Sequence, residues 1–334
     1  MPSAPPRVAA VVCNYNGREI TLAALAGLRA MTYPAFDVLV VDNASTDGSH
    51  EAVAAAFPDV RQLRVEENRG SAAGYAAGFS WAFALGYDWV LLLNNDIEVD
   101  PGMLTEMLAT AASDPTIGVV GPKCYYHADR RRIWSAGGRL RFREAITTER
   151  GQREIDRGQF DRDEEVDYVN GCAILIHRAA AAAAGAWDAV YVNNTDDADF
   201  CIRVRRAGFR CFFSHRARLW HMVALTLGGY VARRTFWGGR AAAIYVRRYA
   251  RWWQWASYLA ASAAAIPLAF LRELPKGNQT AAVAKLKGMV AGLRMTLPSP
   301  PRFGGAAGGD GSPAAAGGAT ASAPGGQAGG APAP

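Results

Sequence analysis

The 334-residue chain has no CxxC pair, and its five cysteines (Cys13, Cys124, Cys172, Cys201 and Cys211) are scattered through apolar or helical contexts. An odd, dispersed set predicts reduced, buried thiols in a cytosolic protein rather than a disulfide framework or zinc site. The N-terminal stretch MPSAPPRVAAVVCNYNG lacks a charged segment followed by a long apolar run, so no signal peptide is expected. Acids are nearly missing from residues 203–302, where Glu273 alone stands against 18 Lys and Arg, a local charge of +17. Residues 1–202 carry the other 18 basic residues against 28 acidic ones, a local charge of −10. Such a basic third calls for an anionic partner: a membrane surface, a phosphate-bearing substrate or nucleic acid. It lacks both a zinc-ligand pattern and an aromatic RNA-binding motif, so nucleic acid is not expected. Apolar mass is missing from 298–334, which is nearly all Gly, Ala, Pro and Ser with one Phe and reads as a disordered tail. No G-x-G-x-x-G follows the first strand, which argues against a dinucleotide-dependent dehydrogenase.

What is present is a repeating pattern. Val8–Val12 reads as a strand closed by CNYNG, Thr21–Met31 as a helix, and FDVLVVDNAS (Phe36–Ser45) as a second strand ending in polar residues. A helix over Gly48–Phe57, a strand over Val60–Val65, a Gly-rich helix beginning near NRGSAAG and a strand over Trp89–Leu93 follow. Alternating strand and helix predict an α/β fold with a mostly parallel sheet flanked by helices. Ligands of such sheets bind outside the carboxyl ends of the strands. CNYNG, VDNASTDGS and LNNDIEV all lie at such ends. Further on, Val166–Arg178 reads as a strand leading into an Ala-rich helix, Asn193–Phe209 as a helix with acids at its start, and Phe212–His221 as extended chain.

The ordered series VVCNYNG, LVVDNASTDGS, ENRGSAAGYAAG, VLLLNNDIEV, VNGCAILIHR, DDADFCIRVRRAGF and WH, over about residues 7–225, resembles the family 2 glycosyltransferases with a GT-A fold, and the bacterial rhamnosyltransferase-like subgroup among them. The resemblance implies a catalytic domain over 1–225, its nucleotide-sugar half at about 1–120 joined to an acceptor half at about 121–225. A basic, apolar helical region over 226–297 and the tail over 298–334 would follow. It implies an inverting enzyme that moves a sugar, rhamnose from dTDP-rhamnose in that subgroup, to a hydroxyl of a lipid-linked saccharide or cell-surface glycan. The alternatives are a catalytically inactive sugar-nucleotide binding protein and a relative of the processive polysaccharide synthases. Arg248 stands where the synthases' Q-x-x-R-W motif has Gln, which weakens the second.

Residue roles follow from the same resemblance. A departing nucleoside diphosphate needs its charge neutralised, by Mg²⁺ or Mn²⁺ held on few carboxylates. The family's Asp-x-Asp is here Asn94-Asn95-Asp96, leaving Asp96 as metal ligand, with His221 completing the metal or diphosphate site. Asn94 and Asn95 are expected on ribose or diphosphate, although either could simply shape the turn. Asn14, Tyr15, Asn16 and Asp42 are expected at the nucleoside, and Asn68, Arg69 and Gly70 near the diphosphate or base, with Gly70 and Gly74 permitting close backbone approach. Ser45 and Asp47 are expected instead to cap the next helix. At the acidic helix start, Asp197 is expected to be the base for the acceptor hydroxyl, with Asp196 the second candidate. Asp199 and Arg203 stand i, i+4 and support it. Gly171 marks a close backbone approach, and Trp134 and Trp187 are either sugar-stacking or core aromatics.

Trp252–Leu271 is uncharged between Arg251 and Arg272, 20 residues in all, which matches the length of a membrane span. Its Trp and Tyr cluster at one end. A span, an in-plane anchor, a re-entrant hairpin and a buried helix all remain open, and the first three would place the protein at the inner face of the cell membrane, on an anionic surface.

Overall fold

The computed structural model describes residues 4–143, 146–222 and 231–304. The strand–helix repeat runs β1 (Val8–Asn14), α1 (Arg18–Arg29), β2 (Phe36–Asp42), α2 (Ser49–Ala56), β3 (Arg61–Arg64), α3 (Ser71–Ala84) and β4 (Trp89–Asn94). Then come β5 (Ile97–Val99), α4 (Met103–Ala112), β6 (Ile117–Tyr126), β7 (Asp129–Ser135), the hairpin β8 (Gly138–Leu140) and β9 (Thr147–Glu149), and β10 (Glu164–Glu165). The chain continues through β11 (Ala173–His177), α5 (Arg178–Ala184), α6 (Asp196–Arg206), β12 (Arg210–His221), α7 (Ala232–Tyr249), α8 (Trp252–Glu273) and α9 (Gln279–Arg294).

The main sheet has the order β10-β12-β6-β11-β4-β1-β2-β3, with β5 on β12 and β7 on β6. The four strands from β3 to β4 are parallel, as the strand–helix alternation predicts. β11 enters antiparallel between β4 and β6, and β12 returns parallel to β6. Side chains alternate across β1: Val8, Ala10 and Val12 pack with Leu25 and Leu28 of α1 and Met103 and Met107 of α4. Ala9 and Val11 face Phe79 of α3 on the other side. A strand with both faces covered must be apolar throughout, and β1 is. Gly78 lets α3 lie against this strand, since a Cβ there would meet Val11 Cγ1 at 2.5 Å.

Three differences from the sequence reading have physical reasons. The strand expected from Val166 is confined to Ala173–His177, because Asn170 turns the chain: its side chain accepts from Cys172 N at 2.9 Å. The charge-free stretch becomes α8, but it is not a buried core helix: 11% of its most apolar window is buried. Residues 298–304 of the tail are placed. Pro301 O accepts from Ala186 N at 3.0 Å, and the lone Phe of that stretch, Phe303, packs edge-on to Phe79 and Phe83. The rest of the tail, 305–334, lies outside the described residues.

Candidate active site

The carboxyl ends of β1 and β4, the start of α6, the end of β12 and the β8–β9 hairpin open onto one cavity of about 820 Å³. Of the sequence-predicted residues, Asn14, Tyr15, Asn68, Gly70, Asn94, Asn95, Asp96, Gly171, Asp196, Asp197 and His221 line it.

Asp96 sits in the two-residue turn between β4 and β5. His221 reaches it because β12 slips register between Ser214 and Arg218 and then pairs His221 opposite Ile97. The imidazole Nε2 lies 3.0 Å from Asp96 Oδ1 and 3.2 Å from Asn94 Nδ2, and Tyr75 donates its hydroxyl to Asn94 Oδ1. Burial opposes charging His221, yet the bond to Asp96 and the surrounding negative groups hold its imidazole above the ordinary value. His221 Nδ1 is buried without a partner, as are Trp134 Nε1 and Asn43 Oδ1, and all three residues line the cavity. Unpartnered buried polar atoms gathered at one cavity point to a ligand. Among the described residues no group of three His, Cys, Asp or Glu could hold a cation unaided. One carboxylate and one imidazole instead fit a divalent cation that takes its other ligands from phosphate oxygens and water.

At the start of α6, Asp197 Oδ2 accepts from Gly171 N at 2.9 Å and its Oδ1 from Ala198 N at 2.7 Å. Asp196 is more deeply buried and accepts from Trp187 Nε1 at 2.9 Å. Burial raises both carboxyl groups above the usual range, and the charge of Asp196 pushes Asp197 up further. Trp187 is therefore a core aromatic, stacked on Phe200, whereas Trp134 faces the cavity beside His221. Asp199 is fully buried and fixes the helix: it accepts from Arg203 Nε and Tyr191 Oη, both at 2.8 Å, from Tyr249 Oη at 2.6 Å and from Arg248 Nη1 at 3.1 Å. Arg248, off-pattern for a synthase motif, is thus a brace between α7 and α6.

Three residues expected at the nucleotide, besides the supporting Asp199 and Arg203, do not line the cavity. Asp42 is fully buried beneath it, accepting from Asn14 Nδ2 at 3.2 Å and Ser45 N at 3.2 Å. Asn16 accepts from Thr46 N at 2.7 Å and orders the rim. Arg69 points outward to Glu67 at 3.1 Å. Asn95 lines the cavity but bonds Asn14 Oδ1 at 3.1 Å and Thr21 Oγ1 at 3.0 Å. The close approach allowed by Gly70 (φ +97°) is to the chain itself: a Cβ there would collide with Val192 O. Gly74 likewise serves packing, against Cys13 Sγ.

Sequence reasoning missed Glu149. It accepts from Ser135 Oγ, from Tyr168 Oη at 2.6 Å and from Asn170 Nδ2 at 2.8 Å, and burial raises its carboxyl above the usual range. Nothing in ITTER marks it, because only the fold brings the β8–β9 hairpin over the cavity.

Comparison with known proteins agrees with this geometry. The model of "Glycosyltransferase like family 2" matches residues 5–253. The chain is 25% identical over 256 residues to the N-acetylglucosaminyl-diphospho-decaprenol L-rhamnosyltransferase of Mycobacterium tuberculosis, covering 69% of this chain and 81% of that one. The fold is similar to that of the mannosyltransferase PcManGT of Pyrobaculum calidifontis, solved with GDP-Man and Mn²⁺ (TM-score 0.56, 19% identity, 88% of each chain). It is also similar to GalNAc-T7, solved with UDP, GalNAc and Mn²⁺ (TM-score 0.58, 13% identity, 72% of this chain and 48% of that one). With its parallel strands β3 to β4, its strand-end Asp96 and its acidic helix start, the chain belongs to glycosyltransferase family 2 and has the GT-A fold.

Proposed function

We propose that the protein is an inverting glycosyltransferase that moves a sugar, rhamnose from dTDP-rhamnose, to a hydroxyl of a lipid-linked saccharide or cell-surface glycan at the inner face of the cell membrane. The observation that carries this reading is that one cavity is lined both by the Asp96–His221 pair and by the raised carboxyl of Asp197. The 25% identity to the mycobacterial rhamnosyltransferase, which acts on a diphospho-decaprenol, supports the donor and the lipid-linked acceptor.

In this mechanism Asp197 accepts the proton of the acceptor hydroxyl as its oxygen bonds to the sugar's C1. The C1–O bond to the diphosphate breaks from the opposite face, and the nucleoside diphosphate leaves. A base works best with a pKa near the operating pH, and burial beside Asp196 moves Asp197 that way. Gly171 N and Ala198 N fix its carboxylate in place. Asp96 and His221 would hold Mg²⁺ or Mn²⁺, which when bound neutralises the diphosphate. Tyr15, exposed at the rim, offers its ring to the base. Asn68, Gly70 and Asn94 line the donor end.

The test is release of nucleoside diphosphate from a panel of nucleotide sugars, with Mg²⁺, Mn²⁺ or EDTA, in the presence of polyprenyl-diphosphate-linked GlcNAc. Metal-dependent release from dTDP-rhamnose alone is the expected result. Release from another donor overturns the sugar assignment, and tight nucleotide binding with no release from any donor overturns the enzyme.

A further inference from the structure

The three C-terminal helices decide between the readings that the charge-free stretch leaves open. α7 and α9 lie side by side and run in the same direction. Thr235 Oγ1 donates to Ala281 O at 2.7 Å near their starts, and Arg247 Nη1 donates to Met295 O at 2.8 Å near their ends. Between these contacts the backbones touch: a Cβ on Gly288 would collide with Phe236 O, and one on Gly292 would meet Arg240 O at 2.5 Å. α8 joins the end of α7 to the start of α9, so it runs back antiparallel along the pair. Its 22 residues make it about 33 Å long, enough to cross a hydrocarbon core.

Topology forbids that crossing. A bilayer traversed by α8 would also have to contain the α7–α9 pair beside it. That pair is fastened to the catalytic half by Arg240 to Val190 O at 2.6 Å and by Arg248 to Asp188 at 2.7 Å. The chain after α9 returns to the same half, where Pro301 O accepts from Ala186 N at 3.0 Å. Both ends of α8 are therefore held on one side of any membrane.

The inner side of α8 packs through Tyr258 and Ser262, which are buried. Its outer side presents Trp252, Trp253, Ala256, Leu259, Leu268 and Leu271 to solvent. Trp252 is 80% exposed and Leu268 66%. A soluble helix does not leave such a face uncovered without a partner. Charge identifies the partner: residues 231–304 carry 12 basic residues and one acid, and that acid, Glu273, is buried and bonded to Arg272 at 2.8 Å and Lys276 at 3.2 Å. Arg251 lies over the Trp253 ring at the other end.

We propose that α8 is an in-plane anchor, its outer face lying in the interface of an anionic bilayer without crossing it. The helix ends six residues before α9 begins, and α9's first turn touches Thr235. That threonine is next to Arg234 and two residues from Arg233 and Trp237, which line the cavity. Arg233 and Arg234 are the only Lys or Arg among the described lining residues. The anchor thus lays the basic edge of the cavity along the membrane, from which a lipid-linked phosphate substrate would approach. This last step rests on the lipid-linked acceptor proposed above.

The experiment is flotation of the full chain with phosphatidylglycerol-containing or pure phosphatidylcholine vesicles, for the wild type and for Trp252→Ser/Leu268→Ser/Leu271→Ser. The wild type should float with the anionic vesicles at low salt and be stripped by alkaline carbonate. Its tryptophan fluorescence should be quenched more by lipids brominated near the glycerol than at the chain ends. The triple variant should partition about a hundredfold less, with unchanged donor turnover on a water-soluble acceptor. Resistance to carbonate, equal flotation of the variant, or failure of the wild type to float each overturns the anchor. So does a two-copy assembly in sedimentation that the variant dissociates. For the wild type, flotation without donor turnover breaks the proposed enzyme and leaves the anchor standing; turnover without flotation does the reverse.

Discussion

Two rims of one cavity use the same residue types in opposite ways. After β1 and β2, the side chains of Asn14, Thr21, Asp42, Ser45 and Asn95 bond to one another, and Asn14 and Asp42 are almost wholly buried. Around β4, α6 and β12, Asp196 repels Asp197, and His221 keeps an unpartnered ring nitrogen. A saturated buried network fixes geometry, while an incompletely satisfied one leaves interactions for a ligand to complete. The first rim is scaffold and the second carries the chemistry proposed above, although a sequence shows both as polar residues at strand ends.

The largest expected effect is on the second rim. Asp197→Asn should cut turnover by about 10²–10⁴-fold while thermal stability holds or rises. The sign follows from linkage: a carboxyl raised in the folded state binds its proton more tightly there than in the unfolded chain. Its contribution is therefore lost as pH rises from the unfolded carboxylate value through the raised one, and the amide removes that loss. A lower melting temperature at mildly alkaline pH would break the comparison. Next, Asp96→Asn or His221→Ala should lower metal-stimulated turnover on the order of a hundredfold and raise the metal concentration for half-maximal rate; an unchanged metal titration would remove the pair from the site. On the first rim, Asn14→Ala strips partners from Asp42, Thr21 and Asn95 and should cost about 1–3 kcal/mol. An unmoved urea midpoint would contradict the scaffold role. The finest test is Asp196→Asn. Removing the neighbouring charge should bring Asp197 down, and the acid limb of the pH–rate profile should shift to lower pH with its plateau retained. A limb that stays put would assign it to another group.

The first half of the chain is legible in the sequence because its signals are local, apolar runs such as VLVV and VLLL and polar strand ends, and so is the acidic start of α6. Asp96, Asp197 and His221 follow from motif order, and the fold brings them to one cavity. What is not legible depends on long-range packing. Asp42 looks the same in sequence whether it faces ligand or Asn14, and the choice is made by Ser45 and Arg64 around it. Glu149 has no local signature. Phe303 stands alone among small residues, yet it finds Phe79 and Phe83, and only the fold supplies those rings. Val166–Cys172 reads as strand by residue type, but Asn170 breaks the ladder and directs Gly171 N at Asp197.

The contact at Gly70 reaches further than the glycine. Val192 O accepts from Ala72 N at 2.9 Å and Asn193 Oδ1 from Ser71 N at 2.9 Å, so the loop leading into α6 supplies the N-terminal cap of α3. The two helices are consequently one inheritable unit. A chimera that grafts the second half of another family member onto the first half of this chain must carry the 192–195 loop and residues 68–72 together, or it would leave α3 uncapped and set Asp197 at the wrong depth.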